Sequence, residues 1–410
     1  MATEPQGVEL VVGPVAHGGH CVARLDGRVV FVRHALPGER VRARLTETGD
    51  DRSFWRADAV EVLEASPDRV PSAWPAAGPG GVGGGELAHV ALPAQRAWKQ
   101  AVLEEQLRRL AHDERAVPVV AAPGDDERGG LAWRTRIDLV ADDAGLAGMY
   151  RYRSHEVLPL RDMPLASQEI AGLGIFERRW PAAARIEVVV PAGAPGGVVL
   201  VDGAPYDLTH GRADPRPNAR STVQEHVATS TGRWTYRVTA SGFWQVHREA
   251  PAVLVGAVLQ AVGDLTGGRV LDLYSGAGLF TLPLADAVGE HGAVVAVEGD
   301  DRAVRDARRL VHDRPQVTLR AGDVARVLAS GVGGADAVVL DPPRTGAGRR
   351  VVDAVAALAP RRVVYVACDP AALARDVALF GARGYTLDAV TGHDLFPMTH
   401  HVEAVAVLTR

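Results

Sequence analysis

From residue 265 to the last residue given, short apolar runs alternate with segments in which apolar residues recur at helical spacing. The clearest apolar runs end in polar or glycine-rich residues and read RVLDLYSGAG, AVVAVEGD, ADAVVLDPP and RVVYVACDP. Continuous apolar runs of this length are typical of strands that are buried on both faces of a parallel sheet. The alternation therefore predicts a C-terminal α/β domain of the Rossmann type, with a doubly wound parallel sheet.

Residues 8–64 show a different pattern, in which short strand-like segments are separated by glycine, proline and acidic turns. Strands this short, at this spacing and without a convincing helix, predict a small closed β-barrel of the OB-like kind. Four arginines of this region are candidate phosphate contacts, although a solvated charged face is the better explanation for any single one of them. They are Arg33, Arg40, Arg42 and Arg44.

The region between these two parts begins with residues 66–94, which are rich in proline, glycine and alanine and indicate a linker. A helix is predicted over residues 95–110, and alternating segments between residues 131 and 240 predict a mixed, strand-rich middle domain. We therefore expect a multi-domain chain whose barrel and cofactor site are separate. The expected units are the barrel over 1–65, the linker and middle RNA-binding domain over 66–235, and the α/β domain over 236–410.

Arginines and aromatic residues are interleaved in the middle region. This composition suits single-stranded RNA, because aromatic rings stack on bases and arginines pair with phosphates. A half-buried hairpin with a charged outer face explains the same pattern about as well. The residues are Trp133, Arg134, Arg136, Tyr150, Arg151, Tyr152 and Arg153.

The composition limits the possible partners and compartments. The 45 basic and 50 acidic residues give a net charge of −5, which excludes a polycationic nucleic-acid coat but is compatible with a local basic face. No apolar run approaches the ~20 residues that span a bilayer, and the first residues lack the pattern of a secretory signal. The only cysteines, Cys21 and Cys368, are too few for a disulfide framework. We expect a cytoplasmic monomer that binds no membrane.

Acidic residues end several of the predicted C-terminal strands. A glycine turn that includes Gly276 follows the first strand and opens a helix, and glycines there allow a close approach of the backbone to a ligand. Glu298 ends the next strand, where an acidic residue can accept both hydroxyls of a ribose. Asp323 and Asp341 end the third and fourth strands. Several acids and no basic residue in the glycine turn favour S-adenosylmethionine over a dinucleotide as the ligand.

Cys368 and Glu403 are the candidate catalytic pair. Cys368 lies between an apolar strand and a helix, a position where the helix dipole can lower the pKa of a thiol. A lone cysteine is usually a small buried hydrophobe, but its place at the end of a strand, on the cofactor edge, favours a nucleophile. Glu403 opens the last strand and is a candidate base. Arg344 stands after Pro342-Pro343, where enzymes that methylate amino groups commonly have an aromatic residue, so another target atom is favoured.

Taken together, these motifs resemble those of the S-adenosylmethionine-dependent uracil-5 RNA methyltransferases, which make 5-methyluridine in tRNA and 23S rRNA. Residues 29–41 likewise resemble the RNA-binding TRAM domain of that family. The motifs are FWQVH at 243–247, DLYSG at 272–276, DPPR at 341–344, VACDP at 366–370, and DLFP running on to HVE at 394–403.

The resemblance implies a role for each residue of the site and an RNA substrate, either rRNA or tRNA. Cys368 would attack the uracil ring and form a covalent adduct, and Glu403 would remove the ring proton. The residues implied to contact the methyl donor, S-adenosylmethionine, are Gln245, Tyr274, Glu298, Asp323 and Asp341. No metal ligand is implied.

The chain departs from the family in three places. Many relatives carry four cysteines that bind an iron–sulfur cluster, and none is present at the corresponding positions, so we expect no cluster. Leu279 and His247 each stand where an asparagine is common. Two alternatives remain open: an RNA cytosine-5 methyltransferase, and a non-catalytic RNA-binding protein with a degenerate methyltransferase domain.

Overall fold

The computed structural model describes residues 7–49, 51–193 and 196–410, and its first sheet is a six-stranded barrel in the order β1-β5-β6-β4-β3-β2. Successive strands β1 and β2 form one bent segment, whose first part pairs with β5 and whose second part pairs with β3. This segment joins the two edges of the sheet and closes it, as predicted. The strands are β1 Val8–Val11, β2 Val15–Ala16, β3 His20–Leu25, β4 Arg28–Arg33, β5 Arg40–Glu47 and β6 Phe54–Glu64.

The linker and the following helix are packed against the barrel. After a 3-10 turn at Pro75–Ala77, helix α1 spans Leu92–Gln106 and continues as a π-helical turn, Leu107–Ala111, before strand β7, Val119–Ala121. Buried side chains of this stretch complete the hydrophobic core of the barrel, and they are Leu87, Val90, Trp98 and Val102. Helix α1 also packs on α8 and β22 of the C-terminal domain, so it joins the barrel to that domain.

The middle region contains an antiparallel sheet of seven strands in the order β10-β9-β8-β11-β12-β13-β14, together with a short helix, α2, at Gln168–Ala171. Its core is built from alternating inward-facing residues such as Ile137, Leu139 and Ile186. The strands are β8 Arg136–Ala141, β9 Ala147–Tyr150, β10 Val157–Pro159, β11 Arg185–Val189, β12 Val198–Val201, β13 Ala204–Asp207 and β14 Arg212–Ala213.

A two-stranded hairpin, β15 Thr222–Ala228 and β16 Arg233–Thr239, connects the middle sheet to the C-terminal domain. Alternate residues of β16 are buried in the core of that domain. The ring nitrogen of Trp234 donates to Asp286, and the hydroxyl of Tyr236 donates to the carbonyl of Leu279. The hairpin is thus anchored on the C-terminal domain by hydrogen bonds at the ends of its buried aromatic residues.

The C-terminal sheet has eight strands in the order β19-β18-β17-β20-β21-β23-β22-β7. Strands β17 to β21 are parallel, whereas β23 runs antiparallel to both neighbours. The strands are β17 Arg269–Leu273, β18 Ala293–Glu298, β19 Val317–Ala321, β20 Ala337–Leu340, β21 Arg362–Ala367, β22 Thr386–Asp394 and β23 Glu403–Thr409. The helices are α3 Ala250–Val262, α4 Thr281–Val288, α5 Asp301–Leu310, α6 Val324–Ala329, α7 Gly348–Ala357 and α8 Pro370–Gly381.

This arrangement confirms the predicted Rossmann-like α/β class. Strand β17 lies between β18 and β20, so the strand order reverses there, and ligands of open α/β sheets bind beyond the carboxyl ends at such a point. Strand β7, from within the predicted middle region, adds to the far edge of the same sheet. Within the described ranges, no helix is long and apolar enough to cross a membrane.

Candidate active site

The carboxyl edge of the C-terminal sheet collects most of the residues singled out in the sequence. Glu298 is the last residue of β18, Asp341 follows β20, and Cys368 follows β21. Because β23 runs in the opposite direction, its first residue, Glu403, lies at this same edge. The parallel and antiparallel parts of the sheet thus deliver a thiol and three carboxylates to one place.

Cys368 and Glu403 lie at neighbouring ends of the adjacent strands β21 and β23. The last pair of the β21–β23 ladder joins Ala367 to Ala404, so one further step places Cys368 opposite Glu403. Residues directly opposite in an antiparallel pair point to the same face, with Cβ atoms about 5 Å apart. Glu403 is only 3 % exposed, and Cys368 is half-buried with a free thiol.

Burial sets the ionisation of this pair. Desolvation, then the charges of Glu403 and Asp341, raise the pKa of the Cys368 thiol to about 12. The expectation of a lowered pKa from the helix dipole is therefore wrong for this structure, because desolvation and two carboxylates outweigh the dipole. Desolvation and the charge of Asp341 also raise the pKa of Glu403 well above its ordinary value. At neutral pH the structure favours the protonated thiol of Cys368.

Asp341 and Arg344 place opposite charges beside the pair. Desolvation, then the charge of Asp272, raise the pKa of Asp341 to about 7. The exposed Arg344 acts in the other direction, since its positive charge lowers the pKa of both Cys368 and Glu403. Arg344 lies on the turn between β20 and α7, directly after Pro342-Pro343. Its effect on the thiol and the base is not apparent from the sequence, where it is only the residue in place of an aromatic ring.

The glycine turn after β17 contains two residues with positive φ. Tyr274 has a φ of 62° and Gly276 a φ of 55°, and the first value is unusual for an aromatic residue, as often found in binding sites. The backbone N–H of Gly276 donates to Glu298 Oε2 at 2.7 Å. Glu298 Oε1 accepts the N–H groups of Gly299 and Asp300, each at 2.7 Å. Three backbone donors therefore orient the Glu298 carboxylate toward the turn.

Two buried polar atoms of the turn have no hydrogen-bond partner among the described residues. They are Asp272 Oδ1 and the Ser275 hydroxyl oxygen. Desolvation and, less strongly, the charge of Glu298 raise the pKa of Asp272 to about 7, although a hydrogen bond from Thr281 lowers it. Unpartnered buried groups of this kind call for a ligand or water. An acid-lined turn with free acceptors fits a cationic ligand that carries hydroxyl groups.

Asp323 and Gln245 are two further residues of the predicted donor site. Asp323 is the exposed N-cap residue of α6, and its charge contributes, after desolvation, to raising the pKa of Tyr274 to about 12. Gln245 is 8 % exposed on the loop between β16 and α3. Two residues earlier on that loop, the ring of Phe243 is 78 % exposed. An exposed ring of this size offers a stacking surface for a base.

His247 anchors the loop between β16 and α3. Its ring stacks on Trp133 at a centroid distance of 5.4 Å, and its Nδ1 accepts the backbone N–H of Glu249 at 3.0 Å. Nε2 therefore carries the proton in the neutral ring and donates to Asp125 at 3.0 Å. The departure from the family at this position thus forms a buried, satisfied contact between the loop and the residues after β7.

The candidate RNA-binding arginines are mostly committed to protein contacts. Arg136 is buried and pairs with Glu225 at 2.9 Å, which joins the middle sheet to the hairpin. Other arginines of both groups form ion pairs as well: Arg33 with Asp58, Arg40 with Glu64, Arg42 with Glu61, Arg151 with Glu156 and Arg153 with Glu47. Arg44 is half-buried, with its guanidinium near Gly80. A structural role therefore accounts for Arg136, whereas the exposed pairs can exchange carboxylate for phosphate.

The loop between β2 and β3 reaches the catalytic edge, which the sequence analysis missed. His17 Nε2 lies 3.3 Å from Oδ2 of Asp369, the residue after Cys368. The sequence pattern HGGHC indicated only a turn, because nothing local relates residue 17 to residue 369. Cys21, at the end of this pattern, is fully buried and its thiol donates to the carbonyl of Ala35. No group of three or more potential metal ligands occurs among the described residues.

Two protein families match this chain, one at the N-terminal barrel and one in the C-terminal domain. The model of the TRAM domain matches residues 3–54, and the model described as tRNA (Uracil-5-)-methyltransferase matches residues 334–410. An uncharacterized RNA methyltransferase of Streptomyces avermitilis is 44% identical, over 98% of this chain and 97% of the relative. The 23S rRNA (uracil(1939)-C(5))-methyltransferase RlmD of Alkalilimnicola ehrlichii is 33% identical, over 98% and 96%.

A solved structure shares the fold of the whole chain. The tRNA (uracil-54, C5)-methyltransferase of Pyrococcus abyssi, solved in complex with S-adenosyl-L-homocysteine, superposes with a TM-score of 0.71. The comparison covers 97% of this chain and 99% of the other, at 21% sequence identity. At this identity the likeness concerns the fold.

Proposed function

The chain belongs to the family of S-adenosylmethionine-dependent uracil-5 RNA methyltransferases, and from this membership we propose that it methylates carbon 5 of a uridine in rRNA or tRNA through a covalent adduct on Cys368. The observation that carries the proposal is the position of Cys368 opposite Glu403 at the carboxyl edge, with Asp341 on the adjoining strand. A thiol and a base on the same face of a sheet can act on adjacent atoms of one ring.

The methyl donor would be held at the glycine turn. Glu298 would accept its ribose hydroxyls, and Asp323 would lie toward the adenine, since both acids border the turn after β17. Gly276 would allow the close approach of the backbone, while Tyr274, Gln245 and Asp341 would complete the walls. The unpartnered acceptor of Asp272 supports a ligand with donor groups or positive charge at this place. When bound, S-adenosylmethionine supplies an electrophilic methyl group.

The chemistry of uracil explains the need for a thiol. Carbon 5 is a poor nucleophile, and addition of a thiolate to carbon 6 moves electron density onto carbon 5. The target uridine must leave its stack to reach the edge of the sheet. Cys368 attacks carbon 6 as the thiolate, so its raised pKa must fall when the site fills. Arg344 already acts in that direction, and any further positive charge at the edge adds to it.

Glu403 serves the second half of the reaction. After methyl transfer, carbon 5 carries both the methyl group and its original proton. The Glu403 carboxylate removes that proton, the bond to carbon 6 breaks, and Cys368 leaves as the thiolate. Because burial and Asp341 raise the pKa of Glu403, its carboxylate is a stronger base than an exposed glutamate once it is ionised. In this proposal Cys368 forms the bond to the base, and Glu403 allows that bond to break.

The choice of RNA can be tested in cells. Nucleosides of purified rRNA and tRNA from a strain lacking the protein are analysed by mass spectrometry, and we expect loss of 5-methyluridine from one RNA fraction. The strain is then complemented with the wild-type chain or with Cys368→Ala, and only the former should restore the nucleoside. Loss of 5-methylcytidine instead would indicate the cytosine-5 alternative. Restoration by a folded Cys368→Ala variant would contradict the covalent proposal.

A further inference from the structure

The turn between β2 and β3 of the barrel is docked on the catalytic edge of the C-terminal domain. His17 Nε2 lies 3.3 Å from Asp369 Oδ2. At Gly19, which has a φ of 77°, an added Cβ would lie 3.2 Å from the side chain of His400. The backbone of the turn therefore packs directly against the segment that leads to Glu403, and only glycine allows this approach.

Asp369 is the residue through which this contact reaches the nucleophile. It directly follows Cys368 and is the N-cap of α8, where its Oδ1 accepts the backbone N–H of Ala372 at 2.7 Å. Although burial raises the pKa of Asp369, the contacts with His17 and with Ala372 lower it below the ordinary value. Each carboxylate oxygen thus has its own partner, one on α8 and one on the barrel.

We propose that His17 is a positioning residue, which acts through Asp369 to hold Cys368 in the geometry for attack on carbon 6. This inference rests on the covalent function proposed above. It also means that the barrel contributes to the catalytic centre itself, in addition to any contact with RNA. The chain around Cys368 is fixed on one side by the β21 ladder, which ends at Ala367, and on the other by the Asp369 cap.

The contact is poorly suited to a merely structural role. The side chains of His17 and Asp369 are 39% and 23% exposed, and ion pairs with this exposure contribute little to stability. The turn is also held by contacts that do not involve the His17 ring. These are the packing of Gly19 on His400 and, within the barrel, the hydrogen bond at 3.0 Å between Arg56 and His20, the residue that follows the turn. Removing the imidazole should free Asp369 Oδ2 and leave the turn docked.

The test measures adduct formation rather than overall activity. The probe is RNA from a strain that lacks the protein and was grown with 5-fluorouracil. Carbon 5 of its uracil carries fluorine in place of the proton, and because a base cannot remove fluorine, the adduct persists. Single-turnover rates at saturating RNA and S-adenosylmethionine are compared for wild type, His17→Leu and His17→Gln. A misplacement of about 1 Å can cost about 100-fold in rate, so we expect a 10- to 100-fold slower rate for His17→Leu. RNA affinity and melting temperature should stay close to wild type.

Two comparisons make the result specific. The amide nitrogen of Gln reaches the position of a histidine Nε2 and keeps one donor, so His17→Gln should recover most of the rate. His291→Leu is the matched control, because His291 is exposed on the turn before β18, at the opposite edge of the sheet, and its rate should equal that of wild type. An unchanged rate for His17→Leu, or a loss that His17→Gln does not relieve, would overturn the positioning role.

A double-mutant cycle decides whether the effect passes through Asp369. In the Asp369→Ala background, His17→Leu should cause no further loss of rate, because the partner of the imidazole is already absent. Independent, multiplicative losses would overturn the inference. The proposed function has a separate readout: no adduct with wild type, together with methylation by Cys368→Ala, would remove the covalent mechanism. In that event the same cycle on steady-state methylation still decides whether His17 and Asp369 act as a pair.

Discussion

Cys368 and Glu403 face each other across antiparallel strands β21 and β23, one residue beyond the last pair of their ladder. Cys368 follows the end of β21 and Glu403 begins β23, so they lie close together only because β23 runs in the opposite direction. It brings a thiol and a carboxyl group to one face, where the charge of Glu403 adds to desolvation in raising the pKa of the Cys368 thiol.

Glu403→Gln should accumulate a methylated protein–RNA adduct. Attack and methyl transfer do not require the base, but the amide cannot accept the ring proton, so the bond to Cys368 persists. The measurement is a band that survives denaturing gel electrophoresis and contains label from the methyl group of S-adenosylmethionine. The double variant Cys368→Ala, Glu403→Gln is the control and should give no band. Equal amounts of adduct with and without Cys368 would contradict the assignment.

Glu298→Gln should weaken binding of S-adenosylmethionine about ten- to a hundred-fold, as expected for about 1.5–3 kcal/mol of lost hydrogen bonds to a charged acceptor. Gln keeps one oxygen for the backbone donors that hold the turn, so it disturbs the fold less than Ala. Calorimetry on the purified protein measures the affinity. Asp301→Asn, at the exposed first residue of α5, is the matched control. Wild-type affinity in Glu298→Gln would exclude the ribose contact.

Asp272→Asn should increase stability at alkaline pH. The folded-state pKa of Asp272 is raised from 3.8 to about 7, so the folded protein binds this proton more tightly than the unfolded chain does. The resulting stabilisation is complete below pH ~4 and is lost as the pH rises to ~7, above which the buried charge destabilises the fold. Relative to wild type, the variant should gain about 1–4 kcal/mol at pH 8 and nothing at pH 4.

Chemical denaturation at both pH values measures this difference. Asp264→Asn is the control, because hydrogen bonds from Thr266 lower the pKa of this exposed aspartate. Its replacement should give no gain at pH 8. A pH-independent difference between wild type and Asp272→Asn would show that Asp272 is ionised at neutral pH in the folded state.

Phe243→Ala should weaken RNA binding and leave donor binding unchanged. The ring is 78 % exposed on the loop that carries Gln245, and stacking on a base contributes about 1–3 kcal/mol. Filter binding with RNA from a strain lacking the protein gives the affinity. Phe243→Trp should retain or strengthen binding, since its ring is larger. If Ala and Trp variants bind RNA equally well, the ring does not stack on a base.

The purified protein should contain no iron. Cys21 is buried in the barrel and Cys368 lies at the catalytic edge, so the chain cannot provide the thiolate set of an iron–sulfur cluster. Anaerobic purification followed by iron and sulfide analysis tests this expectation. Iron in stoichiometric amount, together with an absorption band in the visible range, would contradict it.

The ends of the C-terminal strands, and the residues at those ends, are predictable from the sequence. Buried parallel strands require continuous apolar runs, so the polar residues that interrupt them, such as Asp341 and Cys368, mark the carboxyl edge. The same local reasoning identified the glycine turn with Gly276, because backbone with positive φ next to a ligand needs glycine. The barrel was likewise visible from its short strands. These features depend on neighbours in the chain.

Contacts between residues far apart in the chain are visible in the tertiary structure and not in the sequence. The pKa of Cys368 depends on burial and on carboxylates from two other strands, which the helix-dipole argument from local sequence does not include. The commitment of Arg136 to Glu225 depends on how the hairpin packs on the middle sheet. His17 reaches Asp369 because the barrel shares its core with α1, and α1 packs on the C-terminal domain. Side-chain patterns record burial and local geometry, whereas such contacts arise only when separate hydrophobic surfaces pack together.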